Sequence, residues 1–279
     1  RAALRDQVAI LHRQFIQQCV RVDEVIGVAA RRIRRLADGD LYFVTNRSAK
    51  AVATEARFNV RGKAADLWHA DSGKTEATSY RSEGKRTAVP LALGPNESVF
   101  VVFRRPATAP AVTVAAAGWS TLAALERGWT LRFDGLGAPQ PIANAGLGSL
   151  TDSSDPQVRY FSGSAIYRSS FTLPAGVAPG AAMKLDLGRV GDVAEVSVNG
   201  KPAGIAWKPP YQIDIGALVV EGSNVVEVRV ANLWVNRMVG DAQPGAKKVS
   251  FTAAPTYVAD APLRPSGLIG PVTVQVRAN

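Results

Sequence analysis

The sequence is poor in the residues that most often anchor chemistry: its 279 residues hold one cysteine, Cys19, and two histidines, His12 and His69. One cysteine cannot close an internal disulfide and is too few for a structural zinc site, so the fold must stand on its apolar core. Two isolated histidines, neither with an acidic or cysteine partner at ligand spacing, cannot build a three-histidine metal centre, and structural roles suit both. No metal ion and no cofactor is expected. Long apolar runs are missing too; the longest, such as Val99 to Phe103, stop far short of the roughly 20 residues that cross a bilayer. No membrane partner is expected. The chain opens at Arg1 without a methionine and without a basic stretch followed by an apolar segment and a cleavage site, which reads as part of a longer polypeptide or a processed form.

Two familiar motifs are incomplete. Ser72-Gly73-Lys74-Thr75 has the tail of a phosphate-binding loop, but Trp68 stands where the upstream glycine belongs, and the segment reads as a hairpin turn. Gly163-Ser164-Ala165 approaches a nucleophile elbow, but the closing glycine of Gly-x-Ser-x-Gly is replaced and the surroundings read as strand.

What is present is an ordinary globular composition, 47% hydrophobic and 20% charged, with a net charge of +10. Such a balance raises nucleic acid as a partner. Its distribution argues against one: residues 1–37 hold eight arginines against three acids, and no aromatic residues interleave with the arginines as a base-stacking surface requires. In the same region Leu4, Val8, Leu11, Phe15 and Cys19 recur at helical spacing, so residues 1–39 are read as an Arg-rich helical segment.

After Gly39 the pattern becomes that of strands. Leu41 to Val44, Ala53 to Val60, Lys63 to Trp68, Thr87 to Leu93 and Ser98 to Phe103 alternate between turn residues, which predicts a small β-sandwich over 40–105. Residues 106–127 are a linker or a weak edge strand. Over 128–279 further strands follow at short intervals: Trp129 to Phe133, Tyr160 to Leu173, Met183 to Leu187, Ala194 to Val198, Tyr211 to Ile215, Asn224 to Ala231 and Pro271 to Val276. Asn199-Gly200 predicts a two-residue hairpin turn, because both central positions of that turn need positive φ. The predicted fold class is mainly β: two antiparallel β-sandwich domains, the second a sandwich or jelly roll, preceded by an α-helical segment.

Paired carboxylates that cleave glycosides stand roughly 5 to 9.5 Å apart on a rigid frame. Asp152 with Asp155, Asp192 with Glu195, and Asp241 with Asp260 are the candidates by sequence, and each also fits a turn, hairpin or cap. Asp152 and Asp155, with backbone carbonyls nearby, are also the pair best suited to a calcium ion. None is assigned a catalytic role. The more informative region is 205–241. Trp207, Tyr211, Trp234, Asn236, Arg237 and Asp241 combine flat aromatic surfaces with bidentate polar groups, the chemistry that receives the C–H faces and hydroxyls of a sugar. The alternative, that Trp207 and Trp234 are plugs between sheets, stays open at this point.

The run Tyr160 to Phe171, together with Glu195 to Gly200 and Asn224 to Asn232, resembles the galactose-binding-like jelly roll of glycoside hydrolases, as found in the sugar-binding domain of the β-galactosidase and β-glucuronidase type. With Asp40 to Arg47, Trp207 to Pro210, Asn232 to Arg237 and Arg264 to Pro271, the resemblance sharpens to the C-terminal part of the α-L-rhamnosidases of glycoside hydrolase family 106, from about Ile33 to the end. Residues 1–30 do not match what is expected upstream. The resemblance implies that the catalytic glutamates and the calcium ion lie in a preceding (β/α)8 barrel that this chain lacks, that the compartment is periplasmic or extracellular, and that the partner is a rhamnose-containing glycan. Three readings follow: a non-catalytic, carbohydrate-binding portion of a rhamnosidase-like hydrolase, a stand-alone carbohydrate-binding module, or a purely structural β-sandwich interaction protein.

Overall fold

Alternation of apolar and polar side chains decides which residues close over a core, and it does so separately in two parts of the chain. A computed structural model describes residues 20–22, 28–115, 118–254 and 256–277. The chain divides into two compact units between residues 116 and 117.

The described part of the first unit holds β1 (Val20–Val22), β2 (Val28–Arg35), β3 (Asp40–Asn46), β4 (Val52–Phe58), β5 (Asp66–Trp68), β6 (Thr75–Ala77), β7 (Tyr80–Glu83), β8 (Arg86–Leu93), β9 (Ser98–Phe103) and β10 (Ala111–Val112). They form two five-stranded antiparallel sheets, ordered β1-β4-β8-β7-β10 and β2-β3-β9-β5-β6. The inward positions of β3 are Tyr42, Val44 and Asn46, as period-2 alternation requires. Tyr42 and Phe103 from one sheet meet Phe58 from the other, with ring centroids 4.8 to 5.8 Å apart. Each such pair contributes about 0.5–1.5 kcal/mol beyond its area burial. Asn46 is buried without cost because every polar group is matched: its Nδ2 donates to the carbonyls of Lys50 and Gly94, both at 2.7 Å, and its Oδ1 accepts from Ser48.

The helical reading of residues 1–39 is corrected over 28–35, which are strand; the periodic stretch from Ala2 to Cys19 lies outside the described residues. Val28 to Arg35 pairs along the whole of β3, from Val28 opposite Asn46 to Arg35 opposite Asp40. Long-range pairing that satisfies the backbone of β3 outweighs the local composition of the Arg-rich run.

The second unit holds β11 (Trp119–Ala124), β12 (Trp129–Asp134), β13 (Ile142–Ala145), α1 (Pro156–Arg159), β14 (Ser164–Leu173), β15 (Met183–Asp186), β16 (Arg189–Gly191), β17 (Val193–Val198), β18 (Lys201–Ala206), β19 (Gln212–Asp214), β20 (Gly222–Ala231), α2 (Val235–Asp241), β21 (Gly267–Gly270) and β22 (Thr273–Arg277). A six-stranded sheet, β13-β12-β14-β20-β17-β18, faces a four-stranded sheet, β11-β22-β15-β19, over one apolar core, and β16 pairs with β21 beside them. The stretch 106–127 therefore contributes β10 to the first unit and β11 to the second. Asp155 begins α1 by accepting from the Gln157 amide at 2.9 Å, with Pro156 in the first turn, so the long strand starts at Ser164 and not at Tyr160. Asn199 and Gly200 have φ of 53° and 76°, as the two-residue turn between β17 and β18 demands.

Trp129 is fully buried, and its indole N–H donates to the Leu125 carbonyl at 2.8 Å. Trp129→Ala is expected to destabilise the second unit by about 3–5 kcal/mol, through lost burial and the cavity left behind. Urea unfolding followed by far-UV circular dichroism checks this, and a loss below about 1 kcal/mol would contradict the packing described.

Candidate functional site

At one end of the six-stranded sheet the chain leaves β20, turns, and enters α2. Asn232 fixes that exit. Its Nδ2 donates to the Gly163 carbonyl at 3.1 Å, and its Oδ1 accepts the Gly267 amide at 2.7 Å. Gly163 has φ of +147°, and a Cβ there would lie 2.6 Å from the Asp134 carbonyl and 2.7 Å from Phe161 Cζ. No side chain fits, so the ends of β12 and β14 approach as closely as backbones can. Ser162 Oγ donates to the Leu233 carbonyl at 2.9 Å and ties the same crossing to the turn before α2.

The result is a cleft of about 310 Å3 whose side chains include Asp134, Ser162, Trp234, Arg237 and Ser250. Trp234 is 57% exposed. Arg237 is mostly buried and donates through an Nη to Asp241 Oδ1 at 2.9 Å, one helical turn on, while its Nε is buried with no partner among the described residues. Arg229 at the rim pairs with Asp134 at 3.1 Å. The cleft thus offers an aromatic face, a charged donor and several hydroxyls, with its charges balanced.

Two residues predicted with Trp234 and Arg237 lie behind them. Asn236 is buried and grips Arg264 twice, its Nδ2 donating to the carbonyl at 2.7 Å and its Oδ1 accepting the amide at 2.8 Å. Asp241 accepts from the Val249 and Ser250 amides at 3.0 and 2.7 Å and from Ser250 Oγ at 2.5 Å, so it carries Ser250 to the wall of the cleft. Burial pushes the Asp241 pKa up, but the hydrogen bonds from Ser250 and Val249 and the Arg237 charge outweigh it and hold the carboxyl below its ordinary value. Gly240 lets α2 lie against Tyr160, since a Cβ would stand 2.5 Å from that of the tyrosine. Residues 235–241 are accordingly helix, with Trp234 at the N-cap.

Trp207 and Tyr211 are in the loop between β18 and β19 and do not line this cleft. Trp207 is 58% exposed, so neither tryptophan is a plug between sheets. Ala206 pairs with Ala194, and Val193 with Ala231, which puts Trp207 at the same end of the sheet as Asn232, two strands away, or about 10 Å. Burial, then the nearby Asp192 carboxylate, raises the pKa of Tyr211; burial raises that of Asp192 against the charge of Arg264.

The other sequence candidates disperse. Asp155 caps α1. Asp152 and Asp260 line a separate depression. Glu195 lies opposite Ile205 and Arg229 along the sheet. Among the described residues no group of three or more His, Cys, Asp or Glu side chains could hold a metal ion. His69 is a strand-end residue beside Glu76, with Nε2 to Oε1 at 3.2 Å, and His12 lies outside the described residues. Asp134 is the one carboxylate among the residues that line the cleft. Sequence reasoning missed Asp134, Asn232 and Ser250 as parts of one place. The rejected Gly163-Ser164 motif and the amide at 232 were the available signals; Ser250 gave none.

Because Asp241 has a lower pKa folded than unfolded, its contribution to stability is complete above the ordinary carboxyl range near pH 4 and is lost as pH falls through the folded value. Asp241→Asn is expected to cost about 1–3 kcal/mol at pH 7, as buried donors lose a charged acceptor, and to differ little from the parent chain near pH 2. Thermal melts across pH check this; an equal loss at both ends of the range would contradict it.

Comparison with known proteins adds the lineage. A family model of the family 106 glycoside hydrolases, described as alpha-L-rhamnosidase, matches residues 5–82. The match therefore takes in most of the opening residues that the sequence reading set apart. A curated protein of Formosa agariphila described as a putative beta-glucuronidase is 33% identical over 171 residues, which is 52% of this chain and 14% of that protein. The solved rhamnosidase from Novosphingobium sp. PP1Y superposes with a TM-score of 0.86 at 46% identity over 97% of this chain, and the match spans 26% of that enzyme. By sequence and by fold, then, the chain is rhamnosidase-like and related to the glycoside hydrolases of family 106, and it accounts for about a quarter of the length of the rhamnosidase it matches.

Proposed function

We propose that the chain is a non-catalytic, carbohydrate-binding portion of an α-L-rhamnosidase-like glycoside hydrolase, from the C-terminal side of a catalytic barrel, and that hydrolysis of O-glycosyl bonds is performed by that barrel. The observation that carries this reading is the pairing, in one cleft, of exposed Trp234 with the guanidinium of Arg237, whose buried Nε has no partner among the described residues. An exposed indole stacks on the apolar face of a sugar ring, and a guanidinium N–H held in place by Asp241 donates to a hydroxyl. Asn236 and Asp241 act as positioning residues. Trp207, about 10 Å from Asn232 along the same sheet end, extends the surface for a longer glycan, whereas Tyr211 packs against the core of the unit. The relationship to rhamnosidases makes a rhamnose-containing glycan the first ligand to try.

Trp234→Ala separates this reading from a purely structural one. Isothermal titration with rhamnose-containing oligosaccharides is expected to show saturable binding that the substitution weakens at least about tenfold. Because the side chain is exposed, stability should change by no more than about 0.5 kcal/mol. Absence of binding in the parent chain, or a collapsed fold in the variant, would contradict the proposal. The purified chain should leave p-nitrophenyl α-L-rhamnoside intact, and measurable cleavage would contradict its non-catalytic part.

A further inference from the structure

The first unit has a cleft of its own, about 510 Å3, within the roughly 300–1,000 Å3 typical of ligand pockets. It forms where the β5–β6 hairpin meets the segment that leaves β9 and the turn that enters β3. Leu67 packs against the core of this unit, so its neighbours Asp66 and Trp68 belong to the opposite face of β5. Trp68 and Thr75 pair across the hairpin, as do Asp66 and Ala77, and all four line the cleft. Arg104 and Arg105 complete it.

The polar groups are prearranged. Arg105 grips Asp66 as a fork, through Nε at 3.1 Å and through an Nη. Arg104 pairs with Asp38 at 2.8 Å. Lys63 Nζ clamps the two segments from which Asp38 and Arg104 come, donating to their carbonyls at 2.8 and 3.1 Å. Each guanidinium carries five N–H groups, more than its aspartate consumes, so donors and acceptors stand side by side around an indole. Each arginine is matched by an aspartate, and the remaining carboxylate of the wall, Glu76, lies beside His69. The cleft has no surplus of positive charge to attract a phosphate, sulfate or uronate.

We propose that this cleft is a second carbohydrate site, which stacks a neutral glycan unit on Trp68 and hydrogen-bonds its hydroxyls to the Asp66–Arg105 and Asp38–Arg104 pairs. It is independent of the cleft at Trp234, uses none of its residues, and takes uncharged sugars in preference to acidic ones.

The test uses the full chain carrying Trp234→Ala, so that the other cleft is silenced, titrated with neutral oligosaccharides from rhamnan, xylan and β-glucan and with oligogalacturonate as the acidic control. At least one neutral oligosaccharide should bind saturably, and more tightly than oligogalacturonate. Trp68→Ala should weaken that binding about tenfold or more. Ala77→Trp, which fills the cleft from an exposed position without removing a contact, should do the same with an unchanged melting temperature, and it decides the matter where Trp68→Ala does not fold. Loss of all saturable binding in the Trp234→Ala chain, survival of binding in Ala77→Trp, or preference for the acidic control would overturn the proposal. The chain carrying Ala77→Trp alone still reports on the cleft at Trp234, so the two readings fail separately.

Discussion

The ten-residue antiparallel pairing of β14 with β20 is the constraint on which the candidate site depends. It runs from Ser164 opposite Ala231 to Leu173 opposite Gly222 without a break in register. A slip of one residue would turn every side chain of either strand to the other face. It would also move Asn232 away from the Gly163 carbonyl, and with it the start of α2. Because the register holds, Trp234 and Arg237 leave the sheet beside Asp134 and Ser162, and the Asp241 carboxylate draws Ser250 into the same wall. The cleft is a consequence of how a strand ends.

That origin also separates the candidate carboxylates from one another. The carboxylates that sequence spacing offered as acid–base pairs are used elsewhere: Asp155 in a helix cap, Asp241 in a buried brace with four polar contacts from three residues. A carboxyl whose pKa is held low by amide donors and an arginine is poorly suited to protonate a leaving group near neutral pH. What remains facing the cleft is an indole, a guanidinium edge, hydroxyls and one ion-paired aspartate.

Much of the β architecture was legible because half-buried strands leave a period-2 trace, as in Asp40 to Asn46, and because Asn199-Gly200 permits few turns. The two-residue β10 and the three-residue β6 and β16 are too short to show a period, and only partners distant in sequence make them strands. β2 was hidden by arginine-rich composition. The seven residues of α2 end in Gly240-Asp241, which reads as a loop until Tyr160 is seen to need the missing Cβ. At the site, residue chemistry pointed to Trp234 and Arg237. Asp134 and Ser250 could not be found that way, since tertiary structure alone places them beside residues about 100 and 13 positions away in the chain.

The most direct test is a structure of the chain with a rhamnose-containing oligosaccharide. The account predicts a sugar ring stacked on the Trp234 indole, with a hydroxyl within hydrogen-bonding distance of the Arg237 guanidinium and no displacement of the Asp241–Ser250 brace. An empty cleft beside a saccharide bound elsewhere on the second unit would contradict it.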